Sequence, residues 1–269
     1  MTRFFEKFCR FLRGCSGWAQ RHYLLSLLLI SGVAFAMKLL GNCMESGVGR
    51  DAALYLIKVQ QWHDSGVAPS GWVPPMLYVL IRAVMALGVS AYTAGTLINL
   101  GMGACSVFIA SGIAFEATAN KKIALASAAF AALHPGLNEL SIEIQRDVPY
   151  LFFSGISVWL AFAAVRRKKW YLWSFAGALL AISFLTRYES AEFFLLFPAA
   201  VLCCAISGRI SCKQAALSTL SLFAVSFAVL ALFFAVYADG KMINEYRKYY
   251  SNKADVIERS VMEKEDSQP

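Results

Sequence analysis

Apolar residues in this chain gather into long, charge-poor runs, and polar residues fall between them in short stretches. Residues 24–40, 91–115, 148–165, 170–185, 193–206 and 214–237 form such runs, with a shorter one at 123–136. A helix crosses the hydrocarbon core with roughly 20 mainly apolar residues, so these runs read as membrane spans. Residues 76–88 differ: they follow Pro74-Pro75 and carry Arg82 near their middle. Arginine at the centre of a span costs about 2.5–3.5 kcal/mol on the insertion scale, so this segment is predicted to lie on the membrane surface. Exchanging the roles of 76–88 and 123–136 leaves every loop considered below on the same side. The pattern predicts an all-α fold: a polytopic membrane helical bundle of about seven transmembrane helices, with an external first loop carrying juxtamembrane helices.

Basic residues orient this bundle. Arg3, Lys7, Arg10, Arg13 and Arg21 precede the first span, with Phe4, Phe8 and Phe11 at helical spacing. Residues 1–22 therefore read as a cytoplasmic amphipathic segment on the lipid surface, or else as a plain positive tail that orients the first span. Lys121-Lys122, Arg166-Arg167-Lys168-Lys169, Arg209 and Lys213 all fall on the same side, as the positive-inside rule requires. Ala34-Phe35-Ala36 resembles a signal-peptidase site, but the hydrophobic segments that follow make the first run a signal anchor. Three parts result: the segment 1–22, a transmembrane module over 23–237, and a short polar external tail over 238–269.

Composition narrows the class. Of the 269 residues, 58% are hydrophobic and only 16% charged, well below the roughly 25% charged residues of soluble domains. The net charge of +8 sits in clusters between spans rather than on one face, so it does not indicate a nucleic-acid partner. No phosphate-binding glycine loop or zinc-protease helix motif is present. The seven cysteines fall mostly in spans or cytoplasmic segments, and Cys43 alone is expected outside, so no disulfide framework is predicted.

Three external segments converge in this topology. The first brings Glu45, Arg50, Asp51, His63 and Asp64; the second His134, Glu139, Glu143, Arg146 and Asp147; the third Arg187, Tyr188 and Glu189. Carboxylates beside arginines suit a phosphate-bearing substrate, because one accepts a proton and the other neutralises phosphate through paired hydrogen bonds. Plainer readings exist for each. Asp51 would serve equally as a helix N-cap or as the partner of Arg50, and locally the two readings stand level. Arg146 and Asp147 read as interfacial charges ending a span. Arg187 reads as a side chain snorkelling to the headgroups, with Glu189 or Glu192 beside it. His63 and His134 read as loop residues. No ligand spacing points to a metal, although two carboxylates and a histidine would suffice for a divalent ion.

Four stretches, taken in order, resemble the membrane-embedded GT-C glycosyltransferases that use lipid-phosphate sugars, above all the protein mannosyltransferase and aminoarabinose transferase branch. They are Asp51 with Tyr55 and Trp62-His63-Asp64-Ser65-Gly66; Pro74-Pro75-Met76-Leu77-Tyr78; His134-Pro135 followed by Arg146-Asp147-Val148-Pro149-Tyr150; and Gly177-Ala178-Leu179-Leu180 leading to Thr186-Arg187-Tyr188-Glu189. The resemblance covers roughly residues 24–237. It implies a seven-span catalytic module in which Asp51 is the general base and Asp147 a second acidic group. It further implies that Arg187, with Arg146 second to it, holds the donor phosphate, and that Tyr55, Glu143, Tyr188 and Glu189 line the substrate.

The expectation is an inverting membrane glycosyltransferase of the plasma or inner membrane, working on its external or periplasmic face. It would move a sugar from a polyprenyl-phosphate donor to a glycan, lipid or protein acceptor. No cofactor is assigned, and a divalent metal is left open. Family members continue past the seventh span, so a partner-dependent or non-catalytic subunit is the competing expectation. A small transporter ranks below it, because its charges would sit at mid-membrane.

Overall fold

The computed structural model describes residues 17–44, 47–69 and 73–237. The amphipathic segment expected over residues 1–16, Glu45 and the tail from 238 lie outside the described residues. Ten α-helices follow one another: α1 Tyr23–Met44, α2 Arg50–Ser65, α3 Met76–Met85, α4 Ala91–Thr118, α5 Lys121–Leu133, α6 Pro135–Ile142, α7 Asp147–Arg167, α8 Tyr171–Phe184, α9 Phe193–Ile206 and α10 Cys212–Tyr237. A 3₁₀ turn, Tyr188–Glu192, leads into α9. By length and composition, α1, α4, α7, α10 and the stretch Tyr188–Ile206 are able to cross a membrane.

Two shorter helices run the same depth. Lys121, at the start of α5, lies 5.8 Å from the ring centroid of Tyr23, at the start of α1. Asn138, on α6, meets Lys38 near the far end of α1. Residues 121–138 therefore travel alongside about 22 Å of α1, taking 1.5 Å per residue. Likewise α8 begins beside the last turn of α7, and the chain just after it returns to Asp147 at the first turn of α7. Residues 135–147, read from sequence as loop, contain the helix α6 instead. Proline stands at its first turn, where its missing N–H costs nothing, and His134 Nδ1 accepts the Leu137 N–H at 3.3 Å.

Small residues let the spans approach. Gly177 on α8 faces the backbone carbonyl of Leu222 on α10, leaving no room for a Cβ, and the Ser226 hydroxyl donates to the Gly177 carbonyl at 2.8 Å. Around this contact α7, α8, α9 and α10 share one apolar core. A second core joins α1, α4 and α5.

A third core sits at one end of the bundle and builds a platform from the first loop. On α2, Ala52, Tyr55, Val59 and Trp62 repeat at helical spacing and form one buried stripe. That stripe packs on Leu77, Tyr78, Ile81 and Met85 of α3 and on the first turns of α4. Arg82, which argued against a span here, places its guanidinium 4.1 Å over the Trp62 ring. The Tyr237 ring, at the end of α10, meets the same Trp62 edge-on at 5.2 Å.

Candidate functional site

The site is built where this platform meets the ends of α7 and α8. The N–H of Met76, at the start of α3, donates to the Leu185 carbonyl at the end of α8, 2.9 Å away. That bond brings the first loop to the Thr186-Arg187 corner. The corner is itself pinned to α7: Ser183 Oγ lies 2.7 Å from Ser190 Oγ and 3.4 Å from the Tyr150 carbonyl.

Arg187 leaves this corner in extended backbone and turns its guanidinium inward. One terminal nitrogen donates to Asp147. The other donates to Glu189 Oε1 at 2.8 Å. The ring of Tyr150 lies 5.7 Å from the guanidinium carbon. Its hydrogen bond to Glu189 raises the pKa of Arg187 above an already high value, against the opposing effect of burial. Arg187 is thus no snorkelling side chain. It is the hub of an ion triad, and Asp147, read locally as an interfacial charge, is one of its arms.

Tyr55 ties α2 to the triad. It is buried, and its ring meets Tyr78 edge-on at 5.8 Å. Burial pushes its phenol pKa upward; Arg146 opposes that shift, Asp51 adds to it, and Arg187 opposes it. Asp51, Arg146 and Arg187 therefore all lie within electrostatic range of one buried tyrosine, although they come from α2, the start of α7 and the corner after α8. Arg146 also lies within range of Glu189.

Asp51 stands one helical turn before Tyr55, the spacing that puts both on one face. It is not the N-cap of α2: Gly49 occupies that position, and no side chain caps the helix. Nor does it pair with Arg50, since no ion pair to Asp51 forms among the described residues. Its carboxylate is exposed, with both local explanations removed. Glu143 stands apart from the triad: it accepts from Gln145 and faces Gly49, where its carboxylate would lie 3.6 Å from an added Cβ. Tyr188 follows Arg187 and packs its ring on Phe184 at 5.3 Å. His63, Asp64 and Glu139 are exposed and remain outside the cluster. Among the described residues no three His, Cys, Asp or Glu side chains converge as a metal ion requires.

A second polar set escaped the sequence reading. Between α6 and α7 the backbone is irregular, and carbonyls there need donors because lipid supplies none. Asn99 on α4 donates to the carbonyls of Glu143 and Gln145, and Asn42 on α1 donates to that of Ile142 at 3.2 Å. Lys38, fully buried within α1, donates to Asn138 Oδ1 and to the Leu137 carbonyl. These three side chains hold the segment that ends in Arg146 and Asp147. The signal for Lys38 was available: it is a lone charge inside the first apolar run.

No curated protein matches the chain in sequence. The family model described as dolichyl-phosphate-mannose-protein mannosyltransferase matches residues 72–237. That match takes in α3 to α10, with Arg146, Asp147, Arg187 and Glu189, and begins after Asp51 and Tyr55. With an ion-paired site at one end of an apolar helical bundle, the chain belongs to the dolichyl-phosphate-mannose-protein mannosyltransferase family, multi-pass membrane glycosyltransferases of the GT-C type.

Proposed function

We propose that this protein transfers a sugar from a polyprenyl-phosphate donor to a hydroxyl-bearing glycan, lipid or protein acceptor. The observation that carries the reading is the gathering of Asp51, Arg146 and Arg187 around Tyr55 at one end of the bundle. In this reaction Asp51 takes the proton from the acceptor hydroxyl. The acceptor oxygen forms a bond to the anomeric carbon from the face opposite the phosphate. The bond from that carbon to the phosphate oxygen breaks, configuration inverts, and the lipid phosphate leaves with the bonding pair. Arg187, with Arg146 near it, faces the charge that develops on that phosphate. Protonated Asp51 then returns its proton to water.

Asp147 serves by holding Arg187 in place, and Tyr55, Glu143 and Tyr188 border the space for the sugar and acceptor. The basic clusters Lys121-Lys122 and Arg166 to Lys169 sit at the opposite end of the bundle from Asp51. By the positive-inside rule this supports a site on the external face of a plasma or inner membrane. The test is binding of radiolabelled polyprenyl-phosphate mannose to detergent-purified protein, wild type against Arg187→Ala. Saturable binding that the variant loses is the expected result. Failure of the wild type to bind any polyprenyl-phosphate sugar would overturn the reading.

A further inference from the structure

The guanidinium of Arg187 is already occupied. Its two terminal nitrogens go to two different carboxylates, Asp147 and Glu189, rather than forming one two-pronged grip on either. Its third donor, on Nε, is buried and has no acceptor among the described residues. This is an arginine with three donor edges, two filled by separate anionic oxygens and one left open. A phosphate group carries three oxygens on one centre and is the ligand that fits such a set. The two carboxylates are not equivalent. Asp147 belongs to the first turn of α7, where the helix dipole favours its charge, and its side chain is 26% exposed. Glu189 lies on the short 3₁₀ turn, and its side chain is 54% exposed.

We propose that Glu189 is a built-in competitor for the phosphate site: it occupies Arg187 in the empty protein and must leave when a lipid phosphate binds, while Asp147 stays and orients the guanidinium. The proposal rests on the donor-phosphate role given to Arg187 above. A tethered carboxylate of this kind makes entry selective. Weak anions do not displace it, whereas a phosphate that fills the Nε edge as well gains a contact that Glu189 does not use. It also frees Arg187 of product when Glu189 returns.

The test is equilibrium binding of undecaprenyl phosphate to the detergent-purified full chain, with inorganic phosphate in a second arm. Wild type is compared with Glu189→Gln, Glu192→Gln and Arg187→Ala. Glu192 is the control for charge in general, because it is an exposed neighbour on the same turn that makes no ion pair with Arg187 among the described residues. Competitive release predicts that Glu189→Gln binds undecaprenyl phosphate about fivefold more tightly, the scale of one half-exposed ion pair. Glu192→Gln should match wild type at physiological salt. A gain in the lipid arm alone identifies lipid phosphate as the displacing group, and a gain in both arms identifies phosphate as such. Equal gains in the two glutamate variants, or weaker binding in Glu189→Gln, would overturn the competitor role while leaving the phosphate site standing. Binding that Arg187→Ala does not reduce would overturn that site, and the competitor with it.

Discussion

Each end of the bundle carries an arginine–carboxylate cluster, and the two are built in opposite proportions. At the end away from Asp51, Glu116 of α4 receives both Arg166 and Arg167 of α7, each at 2.5 Å. Its side chain is 2% exposed, and two cations surround a single anion. At the other end, one arginine is shared by two carboxylates, all are partly exposed, and unpaired Asp51 stands nearby. The first cluster is closed: every charge is answered and none is left to act on another molecule. It fastens α4 to α7. The second is open, with Nε of Arg187 and the carboxylate of Asp51 both unspent among the described residues. Charge in a membrane protein has a structural cost wherever it is placed, and the difference between the clusters shows which charge is structural and which is available for chemistry.

That contrast is breakable by substitution. The largest effect is expected for Asp51→Asn, which should lower the initial rate of sugar transfer by about 10²–10⁴, the scale of a lost general base. Its unfolding temperature in detergent should not move, because the carboxylate makes no ion pair among the described residues. Turnover at the wild-type rate would remove Asp51 as the base. Next comes Arg187→Ala, for which kcat/KM should fall by about 10²–10³ as the cation facing the leaving phosphate is lost. A loss confined to stability would place this cluster with the closed one.

Glu116→Gln should do the reverse. Two arginines then face a buried amide instead of a carboxylate, at a cost of about 1–3 kcal/mol in stability. Thermal unfolding should begin earlier, while the rate per folded molecule stays at the wild-type value. A drop in rate without a drop in stability would erase the distinction between the two ends. The smallest effect is expected for Lys38→Met. It strips a donor from Asn138 and the Leu137 carbonyl but also removes a buried ammonium, so the two stability changes partly offset. The melting shift should be smaller than for Glu116→Gln. A several-fold loss of transfer rate should accompany it, rescued in part by Lys38→Arg, if this contact positions the start of α7.

Much of the fold was legible because lipid imposes a one-dimensional rule on the chain. Run length and charge placed α4, α7, α8, α9 and α10 within a few residues of their observed limits, and Pro74-Pro75 with Arg82 marked α3 as a surface helix. Helix α6 was missed because residues 135–142 mix polar and apolar positions too briefly to set a period; Pro135 at the first turn was its only local sign. At the site, the residue types were legible and their partners were not. Asp51, Arg146, Asp147 and Arg187 stood out as charges at span ends, yet the same positions suited capping and snorkelling. Only the fold chose between these readings, by giving the N-cap of α2 to Gly49 and the carboxylate of Asp147 to Arg187.

The sequence by itself therefore determined the class of molecule, its helical spans and the family, since hydrophobic length and order of motifs are properties of the chain read end to end. Tertiary structure decided which charges meet. Asp147 and Arg187 are forty residues apart, and Asn99 reaches Glu143 across forty-four. Such pairings depend on how α4, α7 and α8 pack side by side, and no local spacing records the outcome. Whether a charge is spent or available is a property of its neighbours, and the neighbours here come from different helices.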